Sequence, residues 1–176
     1  MANNWFQCKV RYEKVTENGI VKKVTEPYLV DALSFTEAEA RIVEELTPFM
    51  SGEFTVSDIK RANYSELFDQ FSGDRYYKCK LQFVTIDQKS AKEKKTSSYI
   101  LVHADNLHDA VKNLDEGMKG TLADYTIVSV NETAIMDAYA YDATKVEYKE
   151  SEDGFVLKID VTKQLKEAIA ERRNKK

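Results

Sequence analysis

Alternating apolar and polar side chains mark the first strand predicted in this sequence, WFQCKVRY. Phe6, Cys8 and Val10 share one face of that strand and the polar residues between them share the other, because successive side chains of a β-strand point to opposite faces. The segment Tyr76–Leu81, YYKCKL, repeats the order aromatic, aromatic, polar, cysteine, lysine, aliphatic. The chain is therefore expected to contain this strand twice, with starting points 71 residues apart.

The similarity continues beyond the hexapeptide and indicates an internal duplication. PYLVDALSFTEAEARIVEELTPFM aligns with SYILVHADNLHDAVKNLDEGMKG at an offset of 71 or 72 residues, so that Tyr28 corresponds to Tyr99. FTVSDI then aligns with YTIVSV. A constant period with the same order of elements is typical of duplication. We therefore divide the chain into a first copy, residues 1–71, and a second copy, residues 72–140.

Each copy is predicted to contain two strands, one helix and a third strand. The first helix is expected to open at Ser34 or Thr36, where Ser34 with Glu37 has the form of a capping box, and the second is expected to open at Asn106 with Asp109. We expect an α+β fold in which these strand-strand-helix-strand units form an antiparallel-rich sheet with helices on one face, as a fused pseudo-dimer. Residues 141–176 fall outside the repeat and are predicted to form a C-terminal hairpin and a basic helical tail.

Three stretches of the chain resemble a known family. PYLVDALSFTEAEARIVEELTP, SGEFTVSDIKRANYSE and EGMKGTLADYTIVSVNET are similar to the domain-of-unknown-function family DUF4494, which is found in Bacteroidetes and their phages. The resemblance covers about residues 4–140 and implies a cytoplasmic protein encoded by such a bacterium or phage. It implies no activity and transfers no functional residues. The order of elements is also similar, in topology alone, to the archaeal ribosomal LX protein.

Charge and hydropathy restrict the possible partners. The 176 residues have a formal net charge of −4, and residues 1–150 hold 19 Lys and Arg against 25 Asp and Glu. Contact with nucleic acid would therefore need a local basic patch. No apolar run approaches the roughly 18 residues of a membrane span, and the N-terminus lacks the basic and apolar regions of a signal peptide. We expect a cytoplasmic protein without membrane contact.

The residue pattern does not predict an enzyme, a cofactor or a metal site. The two histidines, His103 and His108, are five positions apart, whereas a zinc-binding pair on one helix would be three or four apart. The glycine motifs that cradle nucleotides are absent. Cys8 and Cys79 fall in mid-strand on the inward face, where a nucleophile would lack access and a base. We therefore expect a non-catalytic protein.

The sheet face away from the helices is the candidate binding surface. By alternation it carries, in each copy, an aromatic side chain followed by cations. Proteins that bind single-stranded nucleic acid use this combination, because bases stack on the rings while Lys or Arg contacts the phosphates. We therefore predict an accessory protein that binds nucleic acid, with single strands as the first candidate, through Trp5, Lys9, Arg11, Tyr76, Lys78, Lys80, Lys92, Lys94 and Lys95.

Two other interpretations of this face are open. Polar residues that alternate with apolar ones are typical of any antiparallel sheet with one solvated side. Alternatively, Trp5 and Tyr76 pack onto the C-terminal extension. The alternative function is a protein-interaction module of a phage or its host, acting as a structural part, a regulator or an inhibitor of a host system, and a covered sheet face would favour it. Salt-sensitive binding would indicate the nucleic-acid-binding protein rather than the protein-interaction module.

Overall fold

The computed structural model describes residues 4–141 and, beyond them, the backbone of residues 146–150 and 156–160. The chain divides into two compact units, Met1–Ala140 and Tyr141–Lys176. The first unit contains eight strands and two helices, which confirms the predicted α+β class. None of the helices in the described ranges is long and apolar enough to span a membrane.

The first unit repeats one order of elements, in which two long strands are followed by a helix, a third strand and a short fourth strand. In chain order these elements are β1 Trp5–Val15, β2 Val21–Asp31, α1 Phe35–Leu46, β3 Phe54–Ala62, β4 Glu66–Phe68, β5 Arg75–Ile86, β6 Glu93–Ala104, α2 Leu107–Gly117, β7 Tyr125–Glu132 and β8 Ala138–Tyr139.

The strands form two four-stranded sheets, one centred on each predicted copy, rather than a single shared sheet. The strand orders are β3-β1-β2-β8 and β7-β5-β6-β4. In each half the first strand pairs antiparallel with the second and third strands of the same half. The halves thus share one pattern of strand pairing, while the duplication itself stays a prediction.

Each half contributes its short last strand to the sheet of the other half. β4 follows β3 in the chain but pairs in parallel with β6, where Leu67 lies opposite Leu101. β8 follows β7 but pairs in parallel with β2, where Ala138 lies opposite Leu29. Neither sheet is therefore complete without a strand from the other half.

Each helix begins at its predicted cap and covers one face of its own sheet. The Ser34 hydroxyl accepts a hydrogen bond from the Glu37 amide at 3.1 Å, and the Asn106 side chain accepts one from the Asp109 amide at 2.9 Å. Of the two starts expected for α1, Ser34 is the cap rather than Thr36, and the Asn106 cap of α2 is confirmed. The buried residues between helix and sheet include Phe6, Cys8, Val10, Ala38 and Ile42 in the first half, and Cys79, Leu81, Val102, Leu114 and Met118 in the second.

The second unit contains an antiparallel hairpin. Its strands are β9, Val146–Glu150, and β10, Val156–Asp160, with Val156 opposite Glu150. These strands agree with the hairpin that the sequence predicts for the C-terminal extension. The predicted basic helical tail lies outside the described residues.

Candidate functional site

Trp5 and Tyr76, the two rings expected to stack on bases, are buried between the sheets. Their exposed fractions are 2 % and 4 %. The prediction that these rings face solvent is therefore wrong, because the helix-free face of each sheet is covered here by the helix-free face of the other. We call this cluster the inter-sheet core, and its buried members are Trp5, Leu29, Tyr64, Tyr76, Leu101 and Ile135.

Tyr76 is held in the inter-sheet core by ring stacking and by a hydrogen bond. Its ring centroid lies 4.5 Å from that of His103, with 19° between the ring planes. Its hydroxyl donates to Asp137 Oδ1 at 3.2 Å. Burial, with the nearby Asp137 carboxylate, raises the pKa of Tyr76 well above its usual value. Tyr76 is therefore connected to the segment that leads into β8, a strand of the first sheet, and its buried ring offers no free face to a base.

The cations expected beside these rings on the first sheet lie among acids. Lys9 and Arg11 are exposed. Lys9 lies opposite Asp58 of β3, and Glu13 follows Arg11 on the same face of β1. Asp58 also forms an ion pair with Lys60, with 3.3 Å between Nζ and Oδ2. These carboxylates weaken the attraction of this face for phosphate.

The second sheet carries cations without acids between them, and we call this region the cationic patch. It lies on the helix-free face of β5, β6 and β7. Among the strand residues on that face, the only acid is Glu93, at the end of the β5–β6 hairpin. The patch residues are Lys78, Lys80, Gln82, Lys95, Ser97, Tyr99, Ser129 and Asn131.

Lys78 already interacts with two rings at the edge of the inter-sheet core. Its ammonium lies 4.5 Å from the Tyr99 ring centroid and 5.7 Å from that of Tyr64, within the range of cation–π attraction. Lys78 and Lys80 are both half-buried. Lys78 therefore links the patch to the packing of the two sheets.

The three hairpin lysines do not all belong to the patch. Lys95 lies opposite Val84 and shares the helix-free face, whereas Lys94, opposite Thr85, points to the other face. Lys92 lies in the turn just before β6, and all three lysines are exposed. Of the residues predicted from the sequence, the patch thus unites Lys78, Lys80 and Lys95.

Tyr99 belongs to the patch although the sequence alignment equated it with a core residue. Cys8 lies opposite Tyr28, whereas Cys79 lies opposite Ile100, so Ile100 is the counterpart of Tyr28. A shift of one residue moves a strand side chain to the opposite face. Tyr28 is accordingly buried on the helix side, and Tyr99 is half-buried on the helix-free side. In SYILVHA, Ile100, Val102 and Ala104 alternate with Tyr99, Leu101 and His103. This alternation already indicated that Tyr99 and Ile100 point to opposite faces.

A second candidate site is a concave region, which we call the tyrosine cleft, with a volume of about 640 Å³. It lies between the β1–β2 hairpin, the end of α1 with the turn that follows, and the segment around β8. The lining residues are Tyr12, Glu13, Lys14, Val15, Glu26, Tyr28, Leu46, Phe49, Met50, Ser51, Gly52, Glu53, Met136, Asp137 and Tyr139.

Two tyrosines of the cleft donate hydrogen bonds to one carboxylate oxygen. The hydroxyls of Tyr12 and Tyr28 lie 3.0 and 3.3 Å from Glu26 Oε2. Burial raises the pKa of both phenols, and the Glu26 carboxylate adds to the effect, because a nearby negative charge disfavours the phenolate. Both hydroxyls therefore remain donors at neutral pH and fix the carboxylate between the rings.

The charge of the cleft is opposite to that of the cationic patch. Three carboxylates, those of Glu26, Glu53 and Asp137, line it together with one cation, Lys14, whereas the side chain of Glu13 alternates to the helix-free face of β1. Carboxylates that converge on a partly desolvated concave surface attract a positively charged group more strongly than they would in open water. The lining therefore favours a cationic ligand.

The rim of the cleft is apolar and accessible. Phe49 and Met136 are 72 % and 51 % exposed, and Met50 lies beside them in the lining. Tyr139 supplies a third ring, and burial, with the nearby Asp137 carboxylate, raises the pKa of its hydroxyl. A ligand in this cleft would meet aromatic and thioether groups around the acidic centre.

The described residues do not form a metal site. No group of three or more His, Cys, Asp and Glu side chains within residues 4–141 is arranged to hold a metal ion. Cys8 and Cys79 are buried, and burial raises their thiol pKa to about 11 and about 12, with Glu39 adding to the effect on Cys8. Thiols of this kind are protonated at neutral pH and react slowly.

Comparison with known proteins identifies the family. Comparison with curated proteins and with solved structures finds no match. The family model described as "Domain of unknown function (DUF4494)" matches residues 4–141, which is most of the chain and includes both the cationic patch and the tyrosine cleft. The chain belongs to the DUF4494 family.

Proposed function

We propose that this chain is a non-catalytic accessory protein that binds nucleic acid, single strands in particular, through the cationic patch. The observation that carries the proposal is the arrangement of charge on the second sheet. Lys78, Lys80 and Lys95 share a face with hydroxyl and amide side chains, and no acid lies between them. Lysines contact phosphates, while hydroxyl and amide groups add hydrogen bonds to sugar and phosphate oxygens.

Tyr99 takes the role first expected of Trp5 and Tyr76. Its ring is half-buried, and the Lys78 ammonium lies 4.5 Å from its centroid. The accessible part of the ring offers one stacking position, and stacking contributes about 1–3 kcal/mol per base. With one ring in place of two, most of the binding free energy would come from phosphate contacts.

The charge of the helices is expected to orient nucleic acid towards the patch. α1 holds four glutamates and one arginine, and α2 holds three acids and one lysine. The helices cover the sheet faces opposite to the patch and to its equivalent on the first sheet. A negative helix side and a positive sheet side steer an anionic ligand to one approach.

The anisotropy of a labelled single-stranded oligonucleotide tests the proposal. If three lysines contact phosphates, log K should fall with log salt with a slope of about −2. The double variant Lys80→Gln, Lys95→Gln should weaken binding about tenfold or more at low salt. The double variant Lys22→Gln, Lys112→Gln removes the same charge at exposed positions outside the patch and serves as the control.

The two double variants distinguish binding by the cationic patch from binding that depends only on the net charge of the protein. Equal weakening by the two double variants would contradict the assignment to the patch. A flat titration of the wild type at low salt would contradict nucleic-acid binding as a whole. Trp5 emission is a poor reporter for this experiment, because the indole lies in the inter-sheet core.

The second candidate function is a protein-interaction module, such as a structural part, a regulator or an inhibitor of a host system. The tyrosine cleft, with its exposed apolar rim, is the observation that favours it. Under either function we expect a cytoplasmic protein of Bacteroidetes or of one of their phages, an expectation that rests on the family resemblance.

A further inference from the structure

We infer that the tyrosine cleft binds an arginine or lysine side chain presented by a peptide segment of a partner protein. This inference goes beyond nucleic-acid binding, because the cleft lies beside β1 and β2 and its charge is opposite to that of the cationic patch. Three properties of the cleft support it: its size, its aromatic and acidic lining, and its apolar rim.

The cleft is large enough to hold a long side chain of a peptide together with the residues adjacent to it. Its volume of about 640 Å³ falls within the roughly 300–1,000 Å³ that is typical of ligand sites. The walls come from the β1–β2 hairpin, the turn after α1 and the segment around β8, and all three belong to the first compact unit.

The lining combines aromatic rings with carboxylates. Tyr12, Tyr28 and Tyr139 line the cleft, and a Lys or Arg head group over a ring, within about 6 Å of its centroid, is attracted by the ring quadrupole. The carboxylates supply the countercharge. This combination discriminates a cation on an apolar stem from both a neutral side chain and an anion.

Two carboxylates of the cleft are held in place before any ligand arrives. Glu26 Oε2 accepts hydrogen bonds from Tyr12 and Tyr28, whereas Oε1 accepts none from the described residues. Asp137 Oδ1 accepts the Tyr76 hydroxyl at 3.2 Å and the Ala138 amide at 2.8 Å. Fixed acceptors lower the ordering cost of binding, and a guanidinium or ammonium can donate to the remaining Glu26 oxygen.

The rim indicates the sequence context of the bound side chain. Phe49 and Met136 expose apolar surface next to the carboxylates. A segment with an apolar residue beside its Arg or Lys would cover this rim while the cation enters the cleft. The partner chemistry is therefore a short basic and apolar peptide segment.

Methyl NMR of the methionines tests the inference in the full chain. Met50 and Met136 line the cleft, whereas Met118 is buried beside α2 in the other half and serves as an internal control. The probe is a blocked Leu-Arg-Leu peptide, compared with the same peptide containing citrulline, which keeps the shape of arginine without its charge. We expect the arginine peptide to shift Met50 and Met136 saturably below about 10 mM.

Matched variants locate the interaction within the cleft. Glu26→Gln should weaken binding of the arginine peptide about tenfold or more, and its amide oxygen still accepts the two tyrosine hydroxyls, so the fold is kept. Phe49→Ala, at an exposed position, should weaken binding less. Glu17→Gln removes the same charge from the exposed turn of the β1–β2 hairpin and should leave the affinity unchanged.

Several results would overturn the inference. These are equal shifts with the citrulline peptide, equal affinity of the Glu26→Gln variant, or no saturable shift up to about 10 mM. Shifts of Met50 and Met136 caused instead by a single-stranded oligonucleotide would also overturn it, because an acidic cleft is expected to repel phosphate.

Discussion

The two sheets of the first unit share one pattern of strand pairing, whereas the two sites that lie on or beside them have opposite charge. In each half the first strand is central in the sheet, a buried cysteine lies at the same position of that strand, and one helix covers one face. The acidic tyrosine cleft lies beside β1 and β2, whereas β5, β6 and β7 carry the cationic patch. Packing constrains the residue types at buried strand positions, whereas residues at the surface can differ between the two halves.

Two matched positions show why a tyrosine of the central strand can bond to Glu26 in the first half alone. Tyr12 of β1 lies opposite Phe54 of β3, whereas Phe83 of β5 lies opposite Tyr125 of β7. The ring types are exchanged between the central and the third strand. Because the hydroxyl belongs to the central strand in the first half, it can donate to Glu26 on the neighbouring β2.

The largest effect is expected from weakening the packing between the two sheets. Trp5→Ala removes a large ring from the inter-sheet core and should lower the free energy of unfolding by about 3–5 kcal/mol. Urea denaturation followed by circular dichroism measures the change. Val21→Ala, at an exposed position of β2, is the control and should change the value by less than about 0.5 kcal/mol. A loss below about 1 kcal/mol for Trp5→Ala would contradict a stabilising role of this ring.

Alkaline pH is expected to destabilise both halves through their cysteines. Burial raises the thiol pKa from 9.0 to about 11 for Cys8 and about 12 for Cys79. A raised pKa means that the folded state favours the protonated thiol, so this contribution to stability is complete below pH 9 and is lost as pH rises towards the folded pKa.

The free energy of unfolding should therefore be flat near neutral pH and should fall above about pH 9. Tyrosines whose pKa burial raises from 10.0 add to the fall as pH approaches 10, so the part due to the thiols is obtained by comparison with cysteine variants. Cys8→Ala and Cys79→Ala should each make the fall less steep. A wild-type curve that stays flat to about pH 10 would contradict this account.

The smallest effect is expected from the cation beside the inter-sheet core. Lys78→Met removes the interaction of the ammonium with Tyr99 and Tyr64 and should lower the free energy of unfolding by about 0.5–1 kcal/mol. Gln7 occupies the matched position of the first half, opposite Leu29 as Lys78 is opposite Leu101. Gln7→Met should cause no comparable loss, and equal losses in thermal unfolding would show that the charge is not the cause.

The sequence was sufficient to predict most of the elements of the first unit, because the signals for them are local. Burial of one face imposes the alternation seen at the start of β1 and β5. Ser34 and Asn106 bond to backbone amides three residues ahead, so the helix starts depend on spacing within one turn.

The partners of the sheet faces could not be predicted in the same way. Alternation placed Trp5 and Tyr76 on the helix-free face, where the structure has them, but it does not say whether solvent or a second sheet covers that face. β4 and β8 have three and two residues. Strands of this length are too short to show an alternation of apolar and polar residues. The sequence therefore gave no sign that these strands cross to the other half.

The tyrosine cleft was missed for a related reason. Tyr12, Glu26 and Asp137 are far apart in the chain, and Asp137 reaches the cleft because β8 pairs with β2. The cationic patch was found in part, since Lys78 and Lys80 alternate along one strand. Tyr99 was missed because it was aligned with Tyr28, and an alignment of two segments does not fix their register against a third.

The exchange of β4 and β8 also determines when the chain can fold during its synthesis. Leu29 of β2 pairs with Ala138, 109 positions later. A ribosome that has translated the first half therefore displays a nascent chain with one edge of β2 unpaired, and unpaired edges invite pairing with other polypeptides. The first sheet closes only after β8 has left the exit tunnel, so the halves finish folding together rather than one after the other.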